Sequence, residues 1–131
     1  VFPDEVREVK PNAIVGTGRS DFHNQVNNVL GFPFIFRGAM DVQATAINME
    51  MKKAAAFAIA DLAKKDVTEH VREIFGDLVY GKDYIIPKPF DKRLMIDVSS
   101  AVARAAVDSG VAQVNEFDYE GYREDLSNML G

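Results

Sequence analysis

Apolar positions are most regular between Thr45 and Lys65. Ile47, Met51, Ala54, Ala58 and Leu62 stand four, three, four and four residues apart, the spacing of one helical face. Thr45 is the expected N-cap, and Lys64 and Lys65 suit the negative C-terminal end. The alanines at 54–56, 58 and 60 permit a close neighbour. A second helix is expected over VTEHVREIFG, capped by Thr68, with Val71, Ile74 and Phe75 on one face and Gly76 as its stop. A third is expected from Asp91 as cap through Ser109, with Leu94, Val98, Ala101, Val102 and Ala105 as its buried stripe and Gly110 ending it. YEGYREDLSNML predicts a last amphipathic helix with Tyr119, Tyr122, Leu126 and Met129 on one side. Val6 and Val9 predict a short helical turn before Pro11.

Elsewhere the pattern changes. Ala13–Gly18 is a short apolar run closing on glycines, which reads as a buried strand of parallel type ending in a tight loop. In α/β sheets ligands collect at the carboxyl ends of strands, here Gly18 to Asn28. GRSDFHNQVNN is polar and aperiodic and is expected to be a loop, with Asn27 or Asn28 capping the next segment. Gly31, Pro33 and Gly38 interrupt the apolar stretch after it, so a short helix around Val29 to Phe32 and then irregular buried chain are expected. DYIIPKPFD is expected to be extended, because Pro87 and Pro89 push their preceding residues out of helical conformation. One strand cannot pair with itself, and the sheet it needs is expected outside these residues.

Composition narrows the function classes. Hydrophobic residues make up 47% of 131, enough for a core in one domain or a piece of one. A net charge of −5 argues against nucleic acid and anionic membrane as partners. No apolar run is long enough to span a bilayer, there is no signal-peptide pattern at the start, and a cytoplasmic setting is expected. The absence of cysteine removes thiolate chemistry and disulfides, and with two distant histidines a zinc site is not expected. Gly16 and Gly18 lack the third glycine of a dinucleotide fingerprint.

The asparagines of NQVNN, at 24, 27 and 28, are the most unusual feature. Each offers one acceptor and two donors without charge and could meet a carboxylate, a hydroxyl or an amide. Spacing alone favours loop and cap roles for them. Ser20 and Arg19 could face a ligand, but a turn with a surface Arg19–Asp21 pair is the stronger reading. His23 and His70 are expected to be solvated.

The stretch TGRSDFHNQVNNVLGFPFIFRGAMDVQATAINMEMK, residues 17–52, resembles the segment of bacterial malic enzymes that reads T-G-R-S-D-[YF]-P-N-Q-V-N-N-V-L-x-F-P-F-I-F-R-G-A-L-D-V. DYIIPKPFDKRL and AVARAAVDSGVA agree with the same family, and the resemblance runs almost from Val1 to Gly131. It is closest to the smaller bacterial type that is often fused to a phosphotransacetylase-like region. It implies an α/β fold class: the C-terminal portion of a Rossmann-like dinucleotide-binding domain, mostly helical with few strands and incomplete on its own. Residues 1–42 would end the cofactor-binding domain and 43–131 would be C-terminal helices packing on it.

The resemblance also implies chemistry. Malic enzymes oxidise malate with NADP or NAD and decarboxylate the product to pyruvate and CO2 with Mg2+ or Mn2+ acting as Lewis acid. Asn27 and Asn28 match the paired asparagines that contact substrate and the nicotinamide end. Gly18 and Ser20 match the loop lining the cofactor. The catalytic lysine and tyrosine, the metal ligands, the dinucleotide glycines and a further substrate asparagine in an N-P-x-P-E-like motif would all precede Val1. The implied chain is therefore inactive alone, partnered by the N-terminal part of the enzyme in a homo-oligomer, with no catalytic and no metal residue of its own. A non-catalytic binding or assembly module, and one piece of a cleaved but complete enzyme, are the other readings. Two departures stand out: His23 and Ser100 occupy positions where the family commonly has proline. The first would loosen the loop or make it titratable, and the second would allow a more continuous helix.

Overall fold

The computed structural model describes all residues, Val1–Gly131. Six α-helices account for its regular structure: α1 Pro3–Val9, α2 Phe32–Asp41, α3 Met49–Ala63, α4 Glu69–Phe75, α5 Arg93–Asp108 and α6 Tyr119–Leu130. A single 3-10 turn, Asn28–Leu30, precedes α2.

Helix α5 is central and packs against α2, α3 and α6. Its Leu94, Val98, Val102, Ala103 and Ala106 are fully buried with Met51, Ala55 and Leu62 of α3 and Ala39 and Val42 around the end of α2. Ala101 and Ala105, expected in the buried stripe, are half-buried beside it. The N-cap of α5 is Lys92, with no side-chain cap bond, and not the expected Asp91, which lies one residue earlier; the Asp91 carboxylate still accepts from the Arg93 backbone N–H at 3.1 Å. Gly110, at φ 79°, terminates the helix in the left-handed region that glycine tolerates. A smaller cluster gathers Ala63, Val67, Val71 and Tyr84 around α4. Thr68 caps α4 and Gly76 ends it, as expected, while Ile74 is turned outward. In α6 only Leu126 of the expected apolar side is fully buried, and Met129 is exposed.

Three expectations are corrected. The strand over Ala13–Gly18 does not form, so this chain shows helices and no strand where an α/β pattern with few strands was expected. The segment is extended but meets a partner only at its end, in one parallel bridge between Thr17 and Gln25. Ile14 is exposed, because a parallel strand buries its side chains only when neighbouring strands and covering helices are present. Second, Phe32–Asp41 is a regular helix and not irregular chain. Pro33 falls in its first turn, where the missing N–H has no partner to lose. Gly38 is kept for packing: a Cβ there would run into the Ser99 carbonyl oxygen of α5 and lie 3.0 Å from the Val102 Cβ. Third, α3 starts three residues late. Asn48 is its cap, accepting from the Met51 N–H at 3.0 Å. Thr45 instead donates its N–H and its hydroxyl to the Val111 carbonyl, tying the entry of α3 to the exit of α5.

Polar pairs fasten the outer helices. Asp97 of α5 accepts from Lys65 at 2.9 Å and from Arg123 of α6 at 2.8 Å. Burial alone would raise its carboxyl, but the hydrogen bonds and charges of Lys65 and Arg123 outweigh that and hold it below the usual carboxylate range. Ser100 lies within an unbroken α5, as expected from the missing proline. Its hydroxyl donates to the Ile96 carbonyl at 2.6 Å and accepts from Arg123 at 2.7 Å. Tyr122 donates to Asp41 at 2.7 Å, and Asp41 also pairs with Arg37, so α6 is latched to α2. Burial and the Asp41 hydrogen bond push the Tyr122 phenol well up.

Gly38→Ala is expected to destabilise the fold by about 1–3 kcal/mol through overpacking. That outweighs the roughly 1 kcal/mol alanine gains over glycine inside a helix. The urea midpoint should fall, and an unchanged or raised midpoint would show that α2 can shift on α5. A second expectation concerns pH. A depressed folded-state pKa contributes stability above the unfolded value of about 3.9, and this is lost as pH falls through the folded value. Asp97→Asn should therefore lower the melting temperature at neutral pH, with the gap to wild type closing below about pH 4. A gap that persists in acid would refute a charge-based role for Asp97.

Candidate functional site

The asparagine loop is set by backbone bonds before any side chain is considered. Thr17 donates to the Asn24 carbonyl at 3.2 Å, and Val26 donates back to Thr17 at 2.8 Å. Two residues later the chain tightens into the 3-10 turn, with Leu30 and Gly31 donating to the Asn27 and Asn28 carbonyls. Leu30 is driven into the core and fixes the turn from below. Asn27, in extended conformation, caps the turn: its Oδ1 accepts from the Val29 N–H at 3.0 Å. Capping occupies the acceptor of Asn27 and leaves its two N–H donors. Asn28 is exposed with no side-chain hydrogen bond in the fold, so both its acceptor and its donors are free.

Both asparagines border an open, largely apolar pocket of about 400 Å³. Ile35 of α2, Ala56 and Ile59 of α3, and Ile85 and Ile86 of the proline-flanked segment form its walls. Apolar walls favour a flat, weakly hydrated group, and a few amides at the rim can orient it. Gly18 and Ser20 do not reach this pocket. They lie on the exposed outer turn of the loop, where nothing stands within 4 Å of a Cβ built at Gly18.

Arg19 and Asp21 form the expected surface pair at 2.7 Å, and the hydrogen bond from Arg19 lowers the Asp21 carboxyl. His23 and His70 are exposed. Asn24 differs from the other two asparagines. It is buried at 3% exposure, and its side chain bonds only to backbone. Sequence reasoning groups it with Asn27 and Asn28. It also misses Ile85 and Ile86 as pocket walls, because their approach depends on contacts across about sixty residues. The one local hint is the φ of 54° at Asn24, a conformation in which asparagine is enriched.

A second hollow, of about 500 Å³, lies between α3, α5 and α6 and is bordered by Lys65, Asp97, Arg104, Tyr119 and Arg123. Its charges are mostly engaged with one another: Lys65 and Arg123 hold Asp97, and the Arg104 guanidinium stacks 4.7 Å from the Tyr119 ring. Asp108 is the one carboxylate at its border without a side-chain partner, and no free base stands beside it. The asparagine-rimmed pocket is the candidate site.

No protein-family model matches the chain. Curated proteins do. It is 54% identical over 132 residues to the NADP-dependent malic enzyme of Salmonella typhimurium, covering 99% of this chain and 17% of that protein. It is 48% identical over 132 residues to the NAD-dependent malic enzyme of Rhizobium meliloti, again covering 99% of this chain and 17% of that protein. Among solved structures, the malic enzyme of Pyrococcus horikoshii superposes with a TM-score of 0.81 at 35% identity, covering 99% of this chain and 26% of the other. The chain thus spans 17% of the length of such curated relatives. Sequence and fold agree in making it a malic-enzyme segment, matched from end to end and corresponding to a small part of those proteins.

Proposed function

We propose that this chain forms one wall of the active site of a malic enzyme, which oxidises malate with NADP or NAD and decarboxylates the product to pyruvate and CO2. One observation carries the reading: the paired asparagines place free amide groups on the rim of an apolar pocket, inside a segment matched throughout to malic enzymes. The surrounding domain is proposed to be Rossmann-like, with the extended Ala13–Thr17 segment completing its sheet. Gly18 and Ser20 are proposed to line the cofactor from the outer turn.

The pocket fits a nicotinamide ring, which is planar, weakly hydrated and carries an amide. A nicotinamide held there would supply the hydride acceptor for oxidation at the hydroxyl-bearing carbon of malate. The residues of this chain bind and orient. Asn28, with its whole amide free, can accept from the nicotinamide amide or donate to a malate carboxylate. Asn27, whose oxygen already accepts from the Val29 N–H, offers chiefly its two N–H donors. Ile35, Ile59, Ile85 and Ile86 exclude water from the ring face. The divalent metal of the reaction has no place among these residues: no three histidine, aspartate or glutamate side chains converge to hold one. No step through a metal is therefore assigned to them. The general acid, general base and metal ligands belong to the rest of the proposed enzyme.

Phe32, Phe36 and Met40, four residues apart on α2, present an exposed apolar stripe. Exposed stripes of this kind mark surfaces that meet other polypeptide. That supports a chain working within a larger protein, and it is equally what a non-catalytic assembly module would show.

Kinetics separate the two. In a full-length malic enzyme carrying this segment, Asn28→Ala is expected to lower kcat/KM for malate by about one to two decades, the worth of one hydrogen bond to a charged or reacting group. Its melting temperature should stay near wild type. Asn27→Ala should lower both, because a cap worth about 1 kcal/mol goes with it. The 131-residue chain alone should show no malate-dependent reduction of NADP or NAD with Mn2+ present. Turnover by the chain alone, or wild-type kcat/KM in Asn28→Ala, would defeat this assignment.

A further inference from the structure

We propose that Asn24 is a positioning residue that clamps the two rims of the pocket together and so sets where Asn27 and Asn28 stand relative to Ile85 and Ile86. The inference rests on the reading of that pocket given above.

Its basis is the use of one buried amide. The Nδ2 group donates to the Lys82 carbonyl at 2.7 Å and to the Val15 carbonyl at 3.1 Å. The Oδ1 accepts from the Ile85 N–H at 2.9 Å. Its one acceptor oxygen and both donors are thus engaged, on two segments lying 9 and 58–61 residues away. No other hydrogen bond joins residues 24–28 to residues 81–86. On one side of the amide, three residues on, lies Asn27. On the other, the bonded residue Ile85 is itself a pocket wall. Arg7 reaches the same far segment at Asp83, 2.6 Å away, but touches neither asparagine of the rim.

The chemistry restricts the position to asparagine. Two donors and one acceptor on a short stem are needed, and a φ of 54° is needed as well. Aspartate has the shape without the donors, and its carboxylate would face two carbonyl oxygens. Glycine accepts the φ and makes none of the bonds. Alanine makes none of the bonds and strains the backbone.

The test uses a full-length malic enzyme carrying this segment, with Asn24→Gly, Asn24→Asp and, in parallel, Asn28→Ala. A rim displaced by about 1 Å can cost on the order of 100-fold in rate. Asn24→Gly and Asn24→Asp should therefore lower kcat by about 10- to 100-fold at temperatures where both remain folded, with KM for malate changing much less. Hydrogen exchange read by mass spectrometry should quicken in peptides covering 24–30 and 81–87 and stay slow in α5. A purely structural asparagine would lower the melting temperature and leave kcat of the folded enzyme intact. Wild-type kcat in both Asn24 variants, with Asn28→Ala impaired, overturns the proposal. If Asn28→Ala is unimpaired, the reading of the pocket fails instead. Exchange then decides the clamp alone: quickened peptides on both rims uphold it, and unchanged ones overturn it.

Discussion

Helix α5 meets α2 where neither can take another carbon atom. Gly38 faces the Ser99 carbonyl, Val102 and Ala103, and the backbones approach as closely as that missing side chain allows. Once α2 is held there, its first turn fixes the 3-10 turn before it, and that turn fixes Asn27 and Asn28. Helix α3 also packs on α5, and its Ile59 completes the pocket. The placement of the candidate site is thus inherited from a helix crossing well away from it. Small residues make such crossings possible because packing inside proteins leaves little room for adjustment.

Much of this is legible in the sequence. Helices α3 to α6 announce themselves by apolar spacing and by caps, since both are local properties of the chain. Thr68 and Gly76 bracket α4 for that reason, and Gly110 ends α5. The start of α3 is misplaced from sequence because Thr45 and Asn48 are both competent caps. Only the tertiary bond from Thr45 to Val111 decides between them. Helix α2 escapes sequence reasoning because Pro33 and Gly38 look like breakers in isolation. One sits where proline costs nothing, and the other is required by a neighbour 61 residues on. The apolar run at Ala13 reads as a strand from its own residues, yet a strand is a property of pairs.

The site divides the same way. The asparagine motif is visible as residues, and its membership of a known family is visible as a pattern. The division of labour among the three asparagines is not. Asn24 is inward and saturated, Asn27 is half-committed to a cap, and Asn28 is free. Identical side chains acquire different chemistry from backbone direction and burial, which spacing does not encode.

Ser100 shows how a constraint can change its physical form. A proline at this position would limit the backbone and remove an N–H. Here the helix runs through, and a hydroxyl joins it to Arg123 of the next helix. Rigidity that a ring imposes on one segment is exchanged for a joint between two. Such a joint can be released by a single side-chain rotation, whereas a pyrrolidine ring cannot. The orientation of the last helix thus depends on side chains at both positions, Ser100 and Arg123.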